Sequence, residues 1–175
     1  MAITWGGNNW EAYEVSGTLL EVFDQLSGMP EAGKAEWNDS TYTMQFDDNG
    51  VVTNVDATVN PKITMPSWID SSQAPQAAQE EWNRWFRALE DHENGHVQLV
   101  YDEVTGVDER MVGKSQNDAA QEWNDTFARL QQRSDQYDAD TAHGENTGTV
   151  MNQYAGAPED DSDESGESED QQQNP

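Results

Sequence analysis

A run of apolar residues at helical spacing dominates the middle of the chain: Trp82, Trp85, Phe86, Leu89, Val97, Val100, Tyr101 and Val104. Positions three, four and seven apart share one face of an α-helix, so the stripe predicts a long helix with one buried side. Continuing from Leu89 by three and by seven lands on His92 and His96, inside the run His92-Glu93-Asn94-Gly95-His96. The two imidazoles are then one turn, about 6 Å, apart along the axis and point the same way. Buried imidazoles need partners, and a shared divalent metal ion would serve both, with Glu93 beside it as a general base for water. The bland alternatives are a hydrogen-bonded pair of core histidines, or an incidental pair on a solvated face.

The chain has no cysteine, so any metal must be held by His, Asp or Glu, and neither a disulfide framework nor a thiolate site can form. A catalytic zinc site uses three protein ligands and leaves one position open, so a third ligand must return from elsewhere. Glu103 is excluded, since on the same helix it lies about 10 Å along the axis from His96. His143, the one remaining histidine, is the first candidate. Glu122 competes with it, because a His-His-Glu set is also a catalytic zinc arrangement. Asp138 and Asp140 are candidates to orient an imidazole from outside the ligand set. Tyr137 is a candidate to stabilise a developing oxyanion, with a core tyrosine as the plain alternative. Three imidazoles suit Zn²⁺.

The formal charge is -27, from 35 acidic residues against 8 basic ones. Residues 158–175 hold eight of the acids and no base, leaving the body at -19. That tail, rich in Asp, Glu, Ser and Gln, should be a disordered, solvated segment. So acidic a body repels itself in dilute salt and reads as a halophilic surface, its repulsion relieved by screening. Duplex nucleic acid and anionic membranes are excluded as partners by charge. No apolar run approaches the roughly 18 residues of a membrane span. The start lacks the basic and apolar regions of a signal peptide, which fits a cytoplasmic protein or a secreted mature form.

Along the chain, Trp5 to Trp10 reads as a Gly/Asn-rich loop, and Tyr13–Gly17 as a short strand. Thr18 should cap a helix over Leu19–Leu26, ended by Gly28-Met29-Pro30. A polar connection leads to Thr41–Phe46 and Val51–Val59, alternating strands joined at Asp47-Asp48-Asn49-Gly50 as a hairpin. An extended piece follows from Pro61 to Trp68. Ser71-Ser72 with Pro75 should open the long helix, and Gly106 should stop it. Ser115 to Asp118 resembles a capping box for a second long helix, with Ala119, Trp123, Phe127 and Leu130 inward, ending near Asp135. These elements predict an α+β domain over 1–157: a small, mainly antiparallel sheet packed on two long helices.

The set Trp82…Leu89-x-x-His92-Glu93-x-Gly95-His96, followed by Tyr137-Asp138-x-x-Thr141-x-His143-Gly144-x-x-x-Gly148, resembles the DUF922 family of predicted zincin-like, zinc-dependent proteases. Tyr13-x-Val15-x-Gly17-Thr18 and Pro66-x-Trp68 are similar too, so the likeness spans roughly residues 10–150. The resemblance implies a zincin-like fold, His92, His96 and His143 as zinc ligands, and Glu93 as catalytic base acting on a peptide or protein substrate. One position departs from the family pattern: Thr147 stands where a glutamine often precedes the final glycine. The rival function is a non-catalytic module that keeps zinc for stability and binds peptides or proteins.

Overall fold

The hairpin forms where its turn signal lies. Asp47 Oδ1 accepts the backbone N–H groups of Asn49 (2.9 Å) and Val51 (2.8 Å), and Gly50 takes the left-handed φ of 78° that suits glycine. It joins β4 (Thr41–Phe46) to β5 (Val52–Val59) in antiparallel register. A register shift at Gln45/Phe46 carries the buried face through Val52, Val55, Ala57 and Val59, so Val52 rather than Val51 enters the core. The computed structural model describes residues 2–7 and 9–158. The acidic tail expected over 158–175 lies, Pro158 apart, outside them.

Trp5 to Trp10 is not the expected loop. β1 (Ala2–Trp5) pairs parallel with β5, and β2 (Asn9–Val15) pairs parallel with β6 (Lys62–Trp68). A further strand, β3 (Lys34–Glu36), lies within the polar connection and pairs antiparallel with β6. The result is two three-stranded sheets, ordered β1-β5-β4 and β2-β6-β3. Both are mixed, which corrects the expectation of a mainly antiparallel sheet. Pro61, which has no N–H to give, marks the break between β5 and β6. Hydrogen bonds from Gly6 N to Val59 O (2.9 Å) and from Asn9 N to Pro61 O (3.5 Å) flank it. Pro66 is tolerated in the central strand because β3 pairs with β6 only as far as Thr64.

Thr18 caps α1 (Leu19–Ser27) in a full capping box with Glu21. Ser71–Gln73 forms a separate 3₁₀ turn, and Pro75 itself stands at the N-cap of α2 (Gln76–Val104), without a serine cap. Gly106, at φ 77°, ends that helix run and leads into the short α3 (Val107–Met111). Ser115 caps α4 (Gln116–Thr141), which continues well past the expected end near Asp135. No described helix is long and apolar enough to cross a membrane.

The apolar core falls into two clusters that share α2. Its first half packs Trp82, Trp85 and Leu89 with α1 (Leu19, Val22) and β6 (Ile63, Met65). Its last half packs Val100 and Val104 with β5, α3 and the α4 residues Trp123 and Leu130. His92, Glu93 and His96 are buried between these two groups. α4 runs antiparallel to α2: Arg129 and Arg133 reach Glu103 near one end, while Ser134 and Asp138 meet His96 and His92 further along.

Candidate metal centre

α2 supplies two imidazoles and α4 a carboxylate. His92 Nε2 and His96 Nε2 are 3.3 Å apart, and Asp138 Oδ1 lies 3.2 Å from the first and 3.0 Å from the second. These three side chains form a group able to hold a metal ion. Ser134, one turn before Asp138, bonds His96 Nδ1 through its Oγ at 2.8 Å, which fixes that ring's orientation and leaves Nε2 for the shared site. His92 Nδ1 is buried without a hydrogen-bond partner among the described residues.

Tyr137 completes the packing. Its ring stacks on His92 (centroids 5.0 Å, 17° between planes) and meets His96 edge-on (4.9 Å, 87°). The approach depends on Gly95, where a Cβ would lie 2.6 Å from Tyr137 Cζ. Gly144 covers another part of His92, its own hypothetical Cβ falling 3.2 Å from His92 Cγ. The segment after α4 is tied back onto α2: Arg84 donates to the carbonyls of Gly148 (2.9 Å) and Val150 (2.6 Å), and Trp85 Nε1 to Thr149 O (2.8 Å).

Glu93 is 4% exposed and faces β3. Burial, followed by the charges of Glu31 and Asp138, pushes its carboxyl up to about 7, against the opposing pull of the Ala35 N–H. Gly33 allows the strand to come this close, since a Cβ there would stand 2.7 Å from Glu93 Oε1. Burial and the neighbouring His96 lower the His92 pKa, an effect opposed by Asp138. Burial and the charges of Glu93, Asp138 and Asp91 raise that of Tyr137. The triad and Glu93 line one cleft of about 570 Å³, walled by β3 and its flanks on one side and by α4 on the other.

The structure therefore brings together His92, Glu93, His96, Tyr137 and Asp138. Asp138, expected to orient a ligand from outside, stands in the donor group itself. His143 sits at the mouth, three-quarters exposed, with Nδ1 3.9 Å from Asp138 Oδ1. It and Ala142 hold left-handed backbone angles (φ 52° and 49°), strained for non-glycine residues, and its N–H caps Asp138 O at 2.8 Å. Two residues stay away. Glu122 is held by Arg110 (2.9 Å) and Lys114 (2.6 Å), about 24 Å along α4 from Asp138. Asp140 is exposed and takes a hydrogen bond from Gln136 (2.7 Å). Sequence reasoning missed Ser134 and Gly33, and named Gly95 only as part of the family pattern. Ser134 was findable, because it extends the spacing of Trp123 and Leu130 toward Asp138.

Two buried histidines and an aspartate on antiparallel helices, beside a buried glutamate in an open cleft, define an α+β domain with a candidate metal site. The chain belongs to the DUF922 family, described as bacterial protein of unknown function, whose model matches residues 10–144. Neither a curated protein nor a solved structure matches it.

Proposed function

We propose that this domain is a zinc-dependent peptidase of zincin-like fold. The observation that supports it is the convergence of His92 Nε2, His96 Nε2 and Asp138 Oδ1 at 3.0–3.3 Å beside Glu93. Ligands about 2.0–2.1 Å from a tetrahedral zinc ion are spaced by about 3.3–3.4 Å, close to what these donors present. Three protein donors rather than four is also the count of a catalytic site. Zinc bound there would supply Lewis acidity, lowering the pKa of water and polarising a scissile carbonyl. Glu93, its carboxyl raised to about 7, suits taking a proton from water near neutral pH and passing it to the leaving amine. Tyr137, packed on both imidazoles with its hydroxyl against Gly95 of α2, supports this reading by holding the rings in place rather than by reaching an oxyanion. β3 is an edge strand, and an extended peptide can add along it, over Glu93.

One observation favours the second reading, a zinc-stabilised binding module without catalysis. His143 Nδ1 is 3.9 Å from Asp138 Oδ1, so a modest ring movement would give four protein donors and a closed, structural site. Metal analysis and peptide cleavage on wild type and Glu93→Gln decide between them. The peptidase reading expects one zinc per chain in both proteins and a rate at least about 100-fold lower in the variant. A variant that keeps zinc and cleaves as fast as wild type would overturn the role of Glu93. A wild type that holds zinc and cleaves nothing would favour the binding module.

A further inference from the structure

The wall of the cleft opposite α4 is the loop from the end of α1 to β3, which carries Met29, Pro30 and Glu31. It is anchored on both sides: Met29 N donates to Leu26 O (3.0 Å), and Tyr13 Oη donates to Ala32 O (2.5 Å). Met29 is 38% exposed and gives this wall an apolar surface. Glu31, next but one, has no hydrogen bond or ion pair among the described residues. It lines the same cleft as Glu93 and the three metal donors.

The rest of the lining has the same sign. Beyond the metal donors and Glu93, the cleft presents Glu31, Glu36, Asp135 and Glu145. Lys34 is its one lysine or arginine, and that ammonium is already bound to Glu36 at 2.8 Å. A low-dielectric concave wall lined by one sign of charge focuses the field on whatever enters. The candidate metal group and buried Glu93 in the same cleft make a polypeptide backbone the thing to be oriented. An apolar strip ending in an unpaired carboxylate fits a long aliphatic stem with a cationic head.

We propose that the cleft selects cationic peptides, a lysine or arginine side chain lying along Met29 with its charged head on Glu31. The proposal rests on the peptidase reading for the orientation of the backbone, but not for the charge preference. Glu31 is thus a specificity-determining residue, and the substrate class is a basic polypeptide segment rather than an acidic or purely apolar one. The remaining acids reinforce the preference at longer range, and their share weakens with salt.

The test uses the zinc-loaded full chain and a matched peptide set with Lys, Arg, Gln, Leu or Glu at one varied position. Cleavage is measured on wild type, and binding by fluorescence anisotropy on Glu93→Gln. The Lys and Arg peptides are expected to bind tightest. In the Glu93→Gln background, Glu31→Gln should weaken their binding about fivefold and leave binding of the Leu peptide unchanged. Asp48→Asn removes the same charge from the exposed β4–β5 turn and should change nothing. Equal binding of Lys, Gln and Glu peptides, or equal losses from Glu31→Gln and Asp48→Asn, would overturn the proposal even if cleavage occurs. If basic peptides bind in a Glu31-dependent way and none is cleaved, the charge preference stands and the peptidase reading falls.

Discussion

Gly95→Ala is the sharpest probe of the site, because two effects of known size act in opposite directions. In the interior of a helix this substitution normally stabilises by about 1 kcal/mol. Here the new methyl would lie 2.6 Å from Tyr137 Cζ and 3.0 Å from Cε1, where ordinary carbon contacts are about 3.5–4.0 Å. The ring must retreat by about 1 Å, yet it is stacked on His92 and set edge-on against His96. Overpacking of this kind costs about 1–3 kcal/mol, enough to cancel or reverse the helix gain. In a Tyr137→Ala background the obstacle is gone, and the same substitution should stabilise by about 1 kcal/mol. Urea unfolding of zinc-free protein in both backgrounds gives the coupling directly, expected at about 1–3 kcal/mol. Zinc affinity, by competition with a chromogenic chelator, should fall about 10- to 100-fold in Gly95→Ala alone, since the ring orients both imidazoles. An equal gain in stability from Gly95→Ala in both backgrounds would refute the packing argument.

Two more outcomes follow from the same geometry. Glu93 has a folded pKa of about 7 against an ordinary 4.5, so the folded state holds a proton that the unfolded chain releases. Its contribution is therefore fully present below about pH 4.5 and is lost as pH rises through about 7, a change on the order of 3 kcal/mol. The difference between zinc-free wild type and Glu93→Gln in urea unfolding at about pH 4.5 and about pH 8 isolates it; identical pH slopes would contradict the burial argument. Asp138→Asn should reduce zinc affinity more than His143→Ala, because Asp138 Oδ1 is 3.0–3.2 Å from both Nε2 atoms and His143 stands outside. Isothermal titration with zinc reads both, and the reverse order would make His143 the working third ligand.

The elements legible in the sequence were those whose signals are local. Thr18 with Glu21, Asp47 with Gly50, and Ser115 with Asp118 each form a hydrogen-bonded cap or turn within four residues, and each appears where expected. The strands that were missed are held by distant partners. Trp5 stands opposite Val59 and Val15 opposite Trp68, so nothing near β1 and β2 declares their pairing, and the glycines between them suggest a loop. β3 has three residues, Lys34-Ala35-Glu36, too few for alternation to register. Its position is set by Ile63 and Thr64 across the sheet, not by its own composition.

The end of α4 was misread for a reason that bears on the site. The apolar spacing stops at Leu130, but the helix does not; its inner face continues through Ser134, Tyr137 and Asp138. On α2 the stripe is interrupted in the same way, from Leu89 through His92, Glu93 and His96 to Val97. Each helix thus changes from apolar to polar on its buried face where the other does. Buried polar side chains are costly unless each finds a partner, so two such interruptions at one level must be reconciled with each other. Ser134 meets His96 and Asp138 meets both histidines, but two Nε2 atoms 3.3 Å apart face one carboxylate oxygen. Replacing such a buried polar seam with well-packed apolar residues is often neutral or stabilising, so stability alone does not require it. A metal ion bound across the two helices would account for a polar seam between two well-packed clusters.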